Sequence, residues 1–272
     1  GAPTETPPVR CTWPRILATM TTSSSATAPL HWPTAVATGV RVVRPGPRVS
    51  ADEARHAITE LYDGARRAQG LVRDTALIDA PTDTAPVLVV DRTAWLRANV
   101  ESLSGLLPGD TVTSATGRVA GAQLGAVLAW LATKVLGQFD LFAPADTGGR
   151  LLLVAPNIVQ AELELRVDPS DFRLWVCLHE ETHRVQFTAY PWLRDYLREQ
   201  ARIVTELTDL SAPGWTDLTR LVRGRGAQQL TLLDLLPDTV DVRTTLERVT
   251  AVMSLLEGHA DVVMDRVGPR VI

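Results

Sequence analysis

One segment, Asp168 to Phe187, constrains this chain more than any other, because a helix there has to be built around histidines. Asp168 suits a helix cap, Pro169 its first turn, and Asp171 the positive end of its dipole. Trp175, Val176, Leu178, Val185 and Phe187 make the helix apolar on several sides, so it is predicted to lie in the core. Within it His179 and His183 stand four residues apart, which places both imidazoles on one face, one turn apart. Buried imidazoles need partners, and a shared metal ion supplies one for each. Glu180 follows the first histidine and points beside that ion rather than at it. There it is placed to take a proton from water on the metal and pass it to a leaving group. Zinc is the expected ion, since imidazole suits it and a catalytic site holds three protein ligands with one place for water. Such a site brings the pKa of that water to roughly 7.

Two histidines do not complete a zinc site. One known solution puts a third histidine six residues on, after a glycine turn. The corresponding positions are Gln186 and Ala189, which excludes it. The other places a glutamate on a later helix, and Leu256-Glu257-Gly258-His259-Ala260-Asp261 fits. Glu257 is the expected third ligand, with Asp261, one turn on, hydrogen-bonding the distal nitrogen of a ligand histidine. Gly258 is expected to leave room beside the site. His259 is the competing ligand, because Glu257 and His259 are two apart on a helix and cannot both face one ion. His259 or Tyr190 is also a candidate transition-state donor. His31 and His56 read as surface residues.

Composition narrows the function further. The 272 residues are 45% hydrophobic and 21% charged, with a formal net charge of −4. Nucleic acid and anionic membrane want a basic surface, so neither is an expected partner. Lys134 is the sole lysine, which fits a high-GC codon bias. Two cysteines, Cys11 and Cys177, argue against a disulfide framework and make a cytoplasmic, reducing compartment the expectation. Cys177 reads as core. Val119–Leu131 is the most membrane-like run but is too short to span, and is predicted to be a buried helix. The Gly121/Gly125 pair within it lets another helix approach closely.

Along the chain, residues 1–30 are rich in Pro, Thr, Ser and Ala and read as a flexible tail, with Met20 a candidate start. Residues 31–272 read as one metallohydrolase domain, divided at most into an N-terminal part, 31–145, and a catalytic helical part, 146–272. Helices are predicted over 50–72, from Asp91 to near Pro108, and over about 168–188, 191–210 and 239–267. Strands are predicted at 86–90 and 151–154. Gly214 and the Gly224/Gly226 pair mark turns. The fold class is therefore α+β, dominated by helix, with a small sheet.

The stretch from Asp168 through Phe187 resembles the signature of a bacterial zincin-like metallopeptidase family. So do Glu257–Asp261 and the segments Val87–Arg92 and Trp95–Val100; the likeness spans roughly residues 30–272. Members are described as provisionally assigned hydrolases, some of them associated with deazaflavin-coenzyme biosynthesis. The resemblance implies a zincin-like fold, bound zinc and peptidase activity. Relatives continue beyond the equivalent of Ile272, so a C-terminal segment is expected to be missing.

Three functions share these residues. The first is a zinc peptidase acting on a peptide or protein, with Leu151–Val154 either pairing with substrate or serving as a core strand. The second is a non-proteolytic zinc-binding scaffold, against which the intact Glu180 argues. The third is a small-amide hydrolase linked to a biosynthetic pathway.

Overall fold

The computed structural model describes residues 30–81, 85–106, 114–144, 148–207, 239–268 and 271. In chain order these form α1 (Trp32–Val42), α2 (Ala51–Thr75), β1 (Val87–Val90), α3 (Arg92–Leu106), α4 (Ala115–Leu131), β2 (Gly137–Asp140) and β3 (Arg150–Val154). There follow α5 (Ala155–Leu165), α6 (Pro169–Ala189), α7 (Trp192–Leu207) and α8 (Val240–Val267). Helix dominates, around one three-stranded sheet of order β1-β3-β2.

β3 organises the molecule. It pairs in parallel with β1 (Val87↔Leu151 to Val90↔Val154) and antiparallel with β2 (Gly137↔Leu153 to Asp140↔Arg150). Leu151, Leu152, Leu153 and Val154 are all fully buried. Strand side chains alternate between faces. Leu152 and Val154 accordingly pack with Ala35 of α1, Trp95 and Leu96 of α3 and Leu128 of α4. Leu153 packs on the other side with Leu61 of α2, Cys177 and Leu178 of α6, and Val263 of α8. Leu151 joins Phe139, Phe187 and Leu256. A run of four consecutive apolar residues is what burial on both faces demands. Both edges of β3 are occupied, which decides between the two readings of Leu151–Val154: it is the core strand, and among the described residues β2 forms the edge of the sheet on this side.

The helix boundaries follow local chemistry. Ser50 caps α2 in a reciprocal box with Glu53: Glu53 N–H donates to Ser50 Oγ (3.2 Å) and Ser50 N–H to Glu53 Oε2 (2.7 Å). Asp91 Oδ1 accepts from Ala94 N–H (2.7 Å) at the start of α3. α4 covers the membrane-like run and buries Ala120, Val127 and Leu128. Among the described residues no helix is long and apolar enough to cross a membrane. α4 lies against α1 at backbone contact: a Cβ on Gly121 would sit 2.5 Å from His31 O, and one on Gly125 would overlap Ala35 O.

Three elements go beyond the sequence reading. α1 starts where the tail is expected to end, with His31 as its cap; Thr34 N–H donates to His31 Nδ1 (3.2 Å). His31 is half-buried rather than a surface residue. α5 rises directly from β3 with no connecting loop and ends at Arg166 in the left-handed region (φ 55°). It is anchored by buried Arg92, which donates to Asn157 Oδ1 and Gln160 Oε1 (each 2.6 Å). β2 has little intrinsic strand character and is a strand because β3 supplies its partner. The 1–29 part of the tail, Cys11, Pro108, Gly214 and Gly224/Gly226 lie outside the described residues.

Candidate metal centre

α6 carries the centre through the middle of the protein. Asp168 Oδ1 accepts from Asp171 N–H (3.1 Å) and Pro169 occupies the first turn. Arg173 anchors the N-terminal half by two 2.8 Å bonds to buried Glu162 and a further bond to Glu60. A helix buried on several sides has to satisfy its polar residues internally. Thr182 Oγ1 donates to its own helix at Leu178 O (2.8 Å), and Arg184 pairs with Glu181, both side chains 1% exposed. At 100° per residue this pair lies opposite His179 and His183. Cys177 shares that far side, against Gly64 of α2. It is fully buried, which pushes its thiol up to about 12, with the Glu180 and Glu181 charges adding to the effect. It is core, as expected.

On the near side the two histidine Nε2 atoms stand 3.1 Å apart. Glu257, from α8, closes a triangle with Oε2 3.5 Å from His179 Nε2 and Oε1 3.4 Å from His183 Nε2. Three ligands bonded tetrahedrally at ~2.0–2.1 Å to one ion lie about 3.3 Å from each other. The Nε2–Nε2 edge is close to that spacing, Glu257 presents one carboxylate oxygen to each histidine, and two nitrogens with one carboxylate form a donor set that zinc takes. The residues therefore fit the ion.

The surroundings orient each ligand differently. His183 Nδ1 donates to Gln186 Oε1 (2.9 Å), which leaves its Nε2 unprotonated toward the triangle. His179 has no such bond: among the described residues its buried Nδ1 finds no partner. Its ring is held instead by stacking on Trp175 (centroids 5.7 Å, 14° between planes) and by the edge of His183 (4.7 Å, 89°). Burial lowers the His179 pKa and so does His183, while Glu257 and Asp261 oppose them.

Glu180 stands beside the triangle, 7% exposed, pressed against β2. A Cβ on Gly137 would fall 2.5 Å from its Cγ and 2.7 Å from its Oε1, so only glycine lets the strand pass so close. Burial, then the neighbouring Glu257 charge, pushes the Glu180 carboxyl up to about 8.

The remaining candidates separate. His259 does not face the triangle: its Nδ1 accepts from Gln186 Nε2 (2.9 Å) and its Nε2 donates to Ala76 O (3.1 Å), which occupies both nitrogens. Asp261 is exposed, and it does not bond the buried His179 Nδ1. Its charge nevertheless acts on that ring. Gly258 is exposed, and a methyl group added there would meet nothing within 4 Å, so glycine makes no room that a larger residue would take away. Tyr190 ends α6, 44% exposed. His56 is a surface residue facing Glu60. Gln186 is the site residue that sequence reasoning misses; its one signal is a position three residues after His183 on the same face.

The profile of a family described as zincin-like metallopeptidase matches residues 30–272. The chain belongs to this family. A zincin-like fold, a metal of the zinc type and membership of the hydrolases follow from that membership, and the His179–His183–Glu257 triangle is the described cluster able to hold the ion. Among solved structures, the chain is similar to that of a provisionally assigned hydrolase with a novel fold from Chloroflexus aurantiacus. The two are 25% identical with a TM-score of 0.51, over 88% of this chain and 82% of that one. No protein of curated function matches the chain.

Proposed function

We propose that the protein is a zinc-dependent peptidase in which Glu180 is the general base. The observation that carries this reading is the buried, unligated Glu180 carboxyl beside a triangle of His179, His183 and Glu257 spaced for one ion. Zinc held there supplies the Lewis acidity that polarises a scissile carbonyl and acidifies water. Glu180 takes the proton of the attacking water and delivers it to the departing amine, so that one carboxyl serves as base and then acid. Burial keeps competing water away from that transfer and confines the carboxyl to the Gly137 side of the centre.

β2 supports a peptide substrate over a small amide. Val154 N–H donates to Leu136 O (2.8 Å), which fixes the phase of the antiparallel ladder. The main-chain groups of Gly137 and Phe139 then point away from β3, and among the described residues no further main-chain bond reaches them. An extended peptide paired there would run past Glu180.

The test is Glu180→Gln assayed with a peptide library. The substitution is expected to keep bound zinc and to lower hydrolysis by about 10²–10⁴-fold. Hydrolysis at the wild-type rate would refute the role of Glu180. A zinc-loaded wild-type protein that cleaves nothing in the library would favour the scaffold.

A further inference from the structure

We propose that Gln186 is the positioning residue of the centre, fixing the tautomer of His183 and tying the helix of Glu257 to the helix of the two histidines. The inference rests on the zinc reading for its function, although its geometry stands without it.

Gln186 is 2% exposed, and its amide is fully used. Oε1 accepts from His183 Nδ1 (2.9 Å). Nε2 donates to the Leu256 carbonyl (2.8 Å), one residue before Glu257, and to His259 Nδ1 (2.9 Å). His259 passes the connection on by donating to Ala76 O, the C-cap of α2 (3.1 Å). One side chain thus joins α6 to α8 and, through His259, to α2, holding one ligand, His183, and the backbone next to another, Glu257. A buried amide whose acceptor and both donors are satisfied has one orientation.

Two consequences follow from that chemistry. Because Oε1 can only accept, the His183 proton is held on Nδ1 and the Nε2 lone pair faces the ion, before any ion arrives. Because Leu256 O can only accept, position 186 requires donors as well, which a carboxylate lacks. A glutamate would satisfy His183 but set negative charge against a carbonyl and release α8. The usual partner of a metal-bound histidine is a carboxylate, carbonyl or water. Here the amide does what none of these does, holding a ligand and the backbone beside another ligand at once.

The experiment compares wild type, Gln186→Met and Gln186→Glu. The first readout is the His183 ring, followed by long-range ¹H–¹⁵N spectra of the zinc-free protein; the second is zinc affinity by chelator competition. Wild type is expected to show His183 protonated on Nδ1. Gln186→Met, which keeps the volume, is expected to lose that single tautomer and to bind zinc about 10–100-fold more weakly. Gln186→Glu is expected to keep the Nδ1 proton yet not regain wild-type affinity, since its tie to α8 is gone. An unchanged tautomer and affinity in Gln186→Met would overturn the proposal, and full affinity in Gln186→Glu would overturn the tie to α8. If Gln186→Met does not fold, His259→Ala takes its place. It is expected to weaken zinc binding by a smaller factor with the tautomer intact, and unchanged affinity there would refute the connection to α2. A wild-type protein that takes up no zinc would refute the zinc reading, while the tautomer measurement still decides the role of Gln186.

Discussion

Gly137→Ala puts the packing of Glu180 to a test of sign. Gly137 lies in β2 and does not have a positive φ, so glycine is not required there by backbone conformation. In a strand of that kind alanine stabilises by about 0.5–1 kcal/mol, because glycine loses more freedom on folding. Against this stands the 2.5 Å separation between the new Cβ and Glu180 Cγ, with Cδ at 2.6 Å. Carbon atoms rest at about 3.5–4.0 Å, so roughly 1 Å has to be opened. Neither side yields easily: β2 is laced to β3, and α6 is buried on both sides of Glu180, from Cys177 and Leu178 to Glu181, Thr182 and His183. Overpacking of this kind costs about 1–3 kcal/mol. The net effect is therefore destabilising, and at ~2–4 °C per kcal/mol for a domain of about this size the melting temperature falls by a few degrees. A carboxyl displaced by ~1 Å would also lose about 10²-fold in rate with zinc content unchanged. Calorimetry with metal analysis reads the first and last quantities, and the peptide assay the second. A Gly137→Ala protein that melts higher than wild type would refute the contact.

Two further perturbations probe the frame around the centre. Gly125→Ala, which drives a methyl into Ala35 O between α4 and α1, should destabilise by about 1–3 kcal/mol. Gly70→Ala, on an exposed face of α2 with nothing within 4 Å, should instead stabilise by up to about 1 kcal/mol; chemical denaturation distinguishes the two signs. For Glu60, burial alone would raise the pKa, but hydrogen bonds from Ser170 and Arg173 and the Arg173 charge outweigh it and hold it below its ordinary 4.5. A depressed folded value contributes stability above the unfolded pKa and loses it as pH falls through the folded one. The stability gap between wild type and Glu60→Gln should accordingly be open at pH 7 and close as pH drops below 4.5, and a gap independent of pH would contradict the pairing.

Much of the centre is legible in the sequence because its chemistry is local. Asp168, Pro169 and Asp171 announce a helix start, and the four-residue spacing of His179 and His183 needs nothing but helical geometry. Glu257 is the favoured third ligand by residue type, with His259 as its competitor on the same helix, and the bonds that occupy both His259 nitrogens separate the two. What escapes depends on partners distant in sequence. Gln186 shows in the sequence only by its position three residues after His183, because its other bonds lead to α8 and, through His259, to α2. Helical spacing favours Asp261, but spacing does not report that the residue is exposed and leaves the His179 Nδ1 without a bond. β2 is hidden because Gly137-Gln138-Phe139-Asp140 has weak strand propensity, and α5 because it continues the apolar run of β3 without punctuation. The same run is open to a substrate-pairing or a core-strand reading from sequence, and its four consecutive buried residues at the centre of the sheet decide for the second.

The most direct measurement is the metal content of the purified protein by mass spectrometry, beside a His183→Ala variant. About one zinc per chain in wild type, lost in the variant while its fold is retained, is the expected result. No zinc in wild type, even after incubation with the ion, would contradict the reading of His179, His183 and Glu257 as a metal centre.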